Sequence, residues 1–138
     1  MFKVFGITAI LCLLFVSPVM AETENYSLVV NGAALYSEAP PIVEGANVLL
    51  PLRVIAESTG ASVQYVAIER QIIISKPGLE AKLRLDNYSC YRNREQIVLT
   101  SPPKLINDRT YITREQVNQI LGLNVFLNIF NSTVVVQN

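Results

Sequence analysis

The chain has 138 residues, 51% of them hydrophobic and 16% charged, a balance that argues for a folded chain rather than a disordered one. Lys and Arg number 11 against 11 Asp and Glu, so no net field steers the chain onto nucleic acid or an anionic surface. The absence of histidine removes the commonest general base and the commonest transition-metal ligand together.

At the N-terminus, Lys3 precedes an apolar run from Val4 to Val16, and Ser17-Pro18 then breaks it ahead of Val19-Met20-Ala21. Charge, apolar core and small-residue exit in that order predict a secretory signal over residues 1–21, cleaved after Ala21. The run is too short for a membrane anchor, which needs about 20 apolar residues. No other apolar stretch long enough to span a membrane follows, so the expected product is an extracytoplasmic chain with no membrane span. Cys12 leaves with the signal, and Cys90 then stands alone as either a small buried hydrophobe on a strand or a free thiol open to intermolecular pairing.

The first predicted elements are strands at Leu28-Val29-Val30 and Ala33 to Tyr36, joined by Asn31-Gly32, a pair that tolerates the positive φ of a two-residue hairpin turn. Pro40-Pro41 stiffens an extended connection. Val48-Leu49-Leu50 reads as a short strand, with Pro51 opening a helix from Leu52 to Thr59 and Gly60 capping it. Val63 to Val66 and Gln71 to Ser75 form a second hairpin. Leu79, Ala81, Leu83 and Leu85 alternate with charged residues, the period of a half-buried strand.

The remaining chain repeats this plan at a constant offset of 62 (25 to 87, 40 to 102, 60 to 122). Asn25-Tyr26-Ser27 returns as Asn87-Tyr88-Ser89, Asn31 as Asn93, Pro40-Pro41 as Pro102-Pro103, and Gly60 as Gly122. Thr113 replaces Pro51, and with Gln116 three residues on it predicts a capping box. Val117, Ile120 and Leu121 give that helix its apolar face. Val134 to Val136 matches Ile72 to Ile74, so it should close a hairpin, although an exposed terminal strand could also pair with another molecule. The expected fold is α+β: two β-rich repeats of short antiparallel strands and hairpins (22–78, and 79–138 including the connecting strand), each with one short helix, packed as one body.

The Val-Asn-Gly hairpin, the Pro-Pro step, Leu50-Pro51-Leu52-Arg53 and the Gly60 stop together resemble the copper amine oxidase N-terminal-like module, or stalk domain, in two tandem copies with the second degenerate. That resemblance implies a secreted or cell-surface accessory piece of a bacterial protein. The copper and quinone of the oxidase belong to a larger catalytic domain, so no cofactor is implied here. Tyr65-Val66 departs from the family's aromatic-Asp pattern, and Thr113-Arg114-Glu115 departs from the Pro-Leu-Arg step.

No phosphate loop, nucleophile elbow or paired-carboxylate motif is present, and the chain is not expected to be an enzyme. Remote carboxylates could still make a small hydrolase, with Glu57, Glu69, Asp108 and Glu115 as its only candidates. Glu57 lies one turn after Arg53, however, and should pair with it. For binding, Lys82 and Arg84 share one strand face, and Arg92 and Arg94 should share a face of the next strand. With Arg53 and Tyr65 they form the candidate binding set. The competing reading is a solvated, salt-balanced surface, since Glu80, Asp86 and Glu95 interleave. Expected partners are another extracellular protein or a cell-wall polymer, with no nucleic acid. An inhibitor or regulator of an extracellular enzyme is the alternative.

Overall fold

In the computed structural model, residues 25–138 are described. The expected secretory signal, 1–21, lies outside the described residues. Asn31 and Gly32 take φ of 47° and 81°, the mirror-image turn that matches the twist of two strands, so β1 (Ser27–Val30) folds back on β2 (Ala33–Leu35). The chain continues through β3 (Ile42–Glu44) to β4 (Asn47–Pro51). Pro51 ends this strand opposite Tyr111 and caps helix α1 (Leu52–Ser58), one position before the first turn in which it was expected.

Gly60, at φ 88°, stops α1 as predicted. Its N–H donates to the Glu57 carbonyl and the Ala61 N–H to the Ala56 carbonyl, the paired bonds of a Schellman cap. Then come β5 (Ser62–Val66), β6 (Gln71–Lys76), β7 (Leu79–Arg84), β8 (Ser89–Arg92), β9 (Glu95–Val98), β10 (Lys104–Ile106) and β11 (Arg109–Thr113). Helix α2 (Arg114–Gln116) begins on the predicted capping box and runs into a π-helical segment, Val117–Leu121. Gly122, at φ 70°, ends it before β12 (Asn124–Asn128) and β13 (Thr133–Gln137).

The strands form three sheets ordered β12-β13-β1-β2, β10-β11-β4-β3 and β5-β6-β7-β8-β9. The molecule is mostly β, with few short helices, which is compatible with an α+β fold. One pairing departs from the expected antiparallel strands, and a second, antiparallel, crosses between the two halves of the chain. β1 and β13 pair in parallel, Leu28 beside Val134 and Val30 beside Val136. β4 pairs with β11, Leu50 beside Ile112. Each sheet therefore draws strands from both sides of β7 or from β7 itself. β13 is flanked by β12 and β1, so it is not the exposed edge that self-pairing at Val134 to Val136 would need.

One apolar cluster unites the sheets. Leu28, Leu50, Ile55, Ile74, Ile112, Ile120 and Val134 are all essentially without exposed surface. Burying such a side chain contributes about 1.5–3 kcal/mol, and among the described residues no disulfide supplements this core. Cys90 sits within it as a strand residue, and burial pushes its thiol up to about 11 against a small opposing effect of Arg92. Gln116 is the buried polar residue of the described chain. Its Oε1 accepts from the Thr113 N–H at 2.9 Å, and its Nε2 donates to the Ser101 carbonyl. Tyr111 donates its hydroxyl to the Pro40 carbonyl at 2.9 Å, and burial raises its pKa despite nearby Arg109. These two side chains fasten the segments that carry the two Pro-Pro steps.

Candidate functional site

Alternation along β7 turns Leu79, Ala81 and Leu83 inward and leaves Glu80, Lys82 and Arg84 on the open face of the five-stranded sheet. Register extends that face sideways: Gln64, Ile73, Lys82, Tyr91 and Gln96 stand in one row across all five strands. Arg84 lies beside Gln71 in the neighbouring row. Lys82, Tyr91 and Arg94 border an open hollow of about 630 Å³, with Glu80 3.5 Å from the Lys82 ammonium. Tyr91 is half exposed.

Arg92 does not join them. It pairs with Ala81, a fully buried residue, and its Nε donates to the Ile120 carbonyl at 3.2 Å. Arg92 therefore serves the inner side, holding the sheet to the π-helical segment. Arg94 does not continue the strand either, because Asn93 and Arg94 both take positive φ and make the β8–β9 turn. The expected set of four cations on neighbouring strands is thus three: Lys82, Arg84 and, from the turn, Arg94.

Arg53 and Tyr65 meet elsewhere. They line a groove of about 480 Å³ between α1, β5 and the β10–β11 hairpin. Val54, Val63 and Leu105 supply apolar walls, and Arg109 adds a second guanidinium. Arg53 pairs with Glu57 at 3.6 Å, as its helical spacing predicts, and Arg109 pairs with Glu38 at 3.2 Å. Sequence reasoning missed Arg109 and Leu105. The Asn107-Asp108 turn, with φ of 49° and 60°, was a readable signal for their hairpin, but its docking beside α1 is tertiary.

The four hydrolase candidates do not gather. Glu57 faces Arg53 on α1, Glu69 lies in the 3₁₀ turn Ala67–Glu69, Asp108 borders the Arg53 groove, and Glu115 lines a separate hollow with Glu44. The residues do not fit a copper site either. The chain holds no histidine, Cys90 is buried with a raised pKa, and no three potential ligands cluster among the described residues. No described helix is long and apolar enough to cross a membrane.

Comparison with curated proteins yields no match. The profile of the copper amine oxidase N-terminal domain matches residues 29–136. That domain is a non-catalytic, stalk-like part of the oxidase, which agrees with an accessory module and gives no indication of an enzyme. The matched span runs from β1 through β13, and the chain belongs to the copper amine oxidase N-terminal domain family.

Proposed function

We propose that the chain is a secreted, non-catalytic accessory module of the bacterial envelope, which works by contact with another extracellular protein or a cell-wall polymer. The observation that carries this reading is the open face of the β5–β9 sheet, where Lys82, Arg84 and Tyr91 stand together with Arg94 at the rim. Cations spaced along a flat face suit a repeating anionic polymer, and an aromatic ring among them gives sugar or side chain a surface to stack on.

The module is two copies of one folding unit. In support, β1 and β8, β4 and β11, α1 and α2, β5 and β12, and β6 and β13 each begin 62 residues apart (27 to 89, 47 to 109, 52 to 114, 62 to 124, 71 to 133). β7 is the addition between them. The second copy has exchanged the Pro51 start of its helix for the Thr113 capping box.

Cosedimentation of the purified chain with isolated bacterial cell walls tests the reading. Pelleting that is lost at high salt, and lost in a Lys82→Glu/Arg84→Glu variant, is the expected result. Failure to pellet under any condition removes the wall-binding form. The groove of Arg53, Tyr65 and Arg109 favours the second reading, a regulator that grips one protein, because a groove with apolar walls and two guanidiniums suits a peptide segment better than a polymer. Its signature is a stoichiometric complex weakened by Arg53→Ala and Tyr65→Ala.

A further inference from the structure

The four strands β12, β13, β1 and β2 contain no charged residue, whereas the other sheets carry several, Glu44, Lys104 and Arg109 in one and Glu80, Lys82 and Arg84 among those of the other. On its outer side Phe126, Val135, Val29 and Ala34 form an unbroken apolar row by register. Phe126 is 52% exposed, and Ile129 and Phe130, in the adjoining turn, are 63% and 96% exposed. At the end of this row lies β12, a five-residue edge strand paired on one side alone. Open edges are ordinarily blunted by a charge, a proline, a bulge or shortness. The edges at β2, β3 and β10 are three residues long, and β9 carries Glu95. β12 has none of these protections.

Its sequence also says what covers it. Asn-Val-Phe-Leu-Asn reads nearly alike in both directions about Phe126. Laid antiparallel against itself, it sets Phe126 against Phe126 of a second copy, Val125 against Leu127 and Asn124 against Asn128. Like chemistry thus meets like on both faces, and no charge is buried. β5, the other long uncharged edge, lacks this property: about Gln64 it sets Ser62 against Val66, and its row leads to Lys82.

We infer that the chain self-associates through a two-fold pairing of β12 with β12 centred on Phe126, joining two four-stranded sheets into one of eight. The occupant of this edge is a second copy of the same chain.

Light scattering coupled to size exclusion over a range of concentrations should show the mass rising to that of a dimer. Phe126→Lys removes an aromatic pair and opposes two ammonium groups on the axis, so it should weaken association roughly tenfold or more. Cysteine placement reads the register even where that variant folds poorly. Directly opposed Cβ atoms lie about 4.5–5.5 Å apart, near disulfide reach. Under mild oxidation Phe126→Cys should therefore link to itself, while Asn124→Cys should link to Asn128→Cys and not to itself. Buried Cys90 does not compete. A monomer at every concentration with no Phe126→Cys cross-link overturns the inference. Cross-linking of Asn124→Cys to itself as readily as Phe126→Cys overturns the register, and a dimer indifferent to Phe126→Lys overturns the site.

Discussion

Replacing Gln116 by leucine tests whether a single amide holds the second helix to the chain before it. The side chain has no exposed surface and satisfies two backbone groups, the Thr113 N–H and the Ser101 carbonyl, both in half-buried residues. Leaving each without its partner costs about 1–1.5 kcal/mol at such partial burial, so about 2–3 together. Leucine returns on the order of 1 kcal/mol, since it brings no amide to strip of water. The net loss is about 1–2 kcal/mol, which lowers a urea midpoint by roughly 1 M for a slope near 1–2 kcal/mol/M. Circular dichroism during urea unfolding measures it, because the chain has no tryptophan to report by fluorescence. Gln116→Glu sharpens the test. Protonated, the new acid can still donate to Ser101 and accept from Thr113; ionised, it faces a carbonyl with no proton to offer. Its folded pKa must then lie above the unfolded value of about 4.3, so the folded state holds the proton longer and stability relative to the parent falls as pH rises through that interval. A Gln116→Leu chain as stable as the parent, or a Gln116→Glu deficit that does not shrink below about pH 4, refutes the account.

Cys90 should resist thiol reagents in the folded chain at pH 8 and react fully once unfolded in urea. Because its folded pKa of about 11 exceeds the ordinary 9.0, the unfolded chain gives up this proton first, and stability falls as pH rises from about 9 to 11. A Cys90→Ala chain, although less stable at neutrality, should lose less over that range, as matched denaturation curves can verify. Gly60→Ala meets no atom within 4 Å yet keeps φ near 88°, so the left-handed backbone alone should cost about 1–2 kcal/mol in thermal or urea unfolding. Asn93 ties two turns together, accepting from the Glu80 N–H at 2.9 Å and donating to the Gly78 carbonyl at 3.2 Å. Asn93→Ala should cost about 1 kcal/mol and speed amide exchange at Glu80, where exchange unchanged from the parent would count against the clamp.

What could be read from the sequence was what neighbouring residues decide among themselves. Asn31-Gly32, the Gly60 stop, the Thr113–Gln116 box and the alternation along β7 each depend on a few adjacent φ angles or on side-chain parity. The recurrence of Asn31 as Asn93 also gains a physical cause. Both residues take positive φ in hairpin turns, and each N–H donates to a carbonyl of the adjoining strand, Val136 and Glu80 respectively. What could not be read was pairing at a distance. Nothing in Leu28-Val29-Val30 names Val134 to Val136 as its parallel neighbour, and nothing in Leu50 names Ile112. Arg92 and Arg94 part company because side-chain parity holds only along a strand, and at Asn93 the strand has already turned. The Arg53–Tyr65 groove was half legible: its helix and strand were foreseen, and its third wall came from a hairpin more than 50 residues on (53 to 105).

The pairing of β1 with β13 and of β4 with β11 bears on how the molecule tolerates being cut. A protease nick in the exposed turn at Ile68 would divide the chain into fragments that each own strands in the other's sheets. Neither piece could leave without stripping Leu28 from Val134 and Leu50 from Ile112, so the halves should stay joined and elute as one particle until denatured. Such a nick would be silent to any assay of native size or shape. In a protease-rich surrounding, an accessory protein built this way would outlast the continuity of its own backbone.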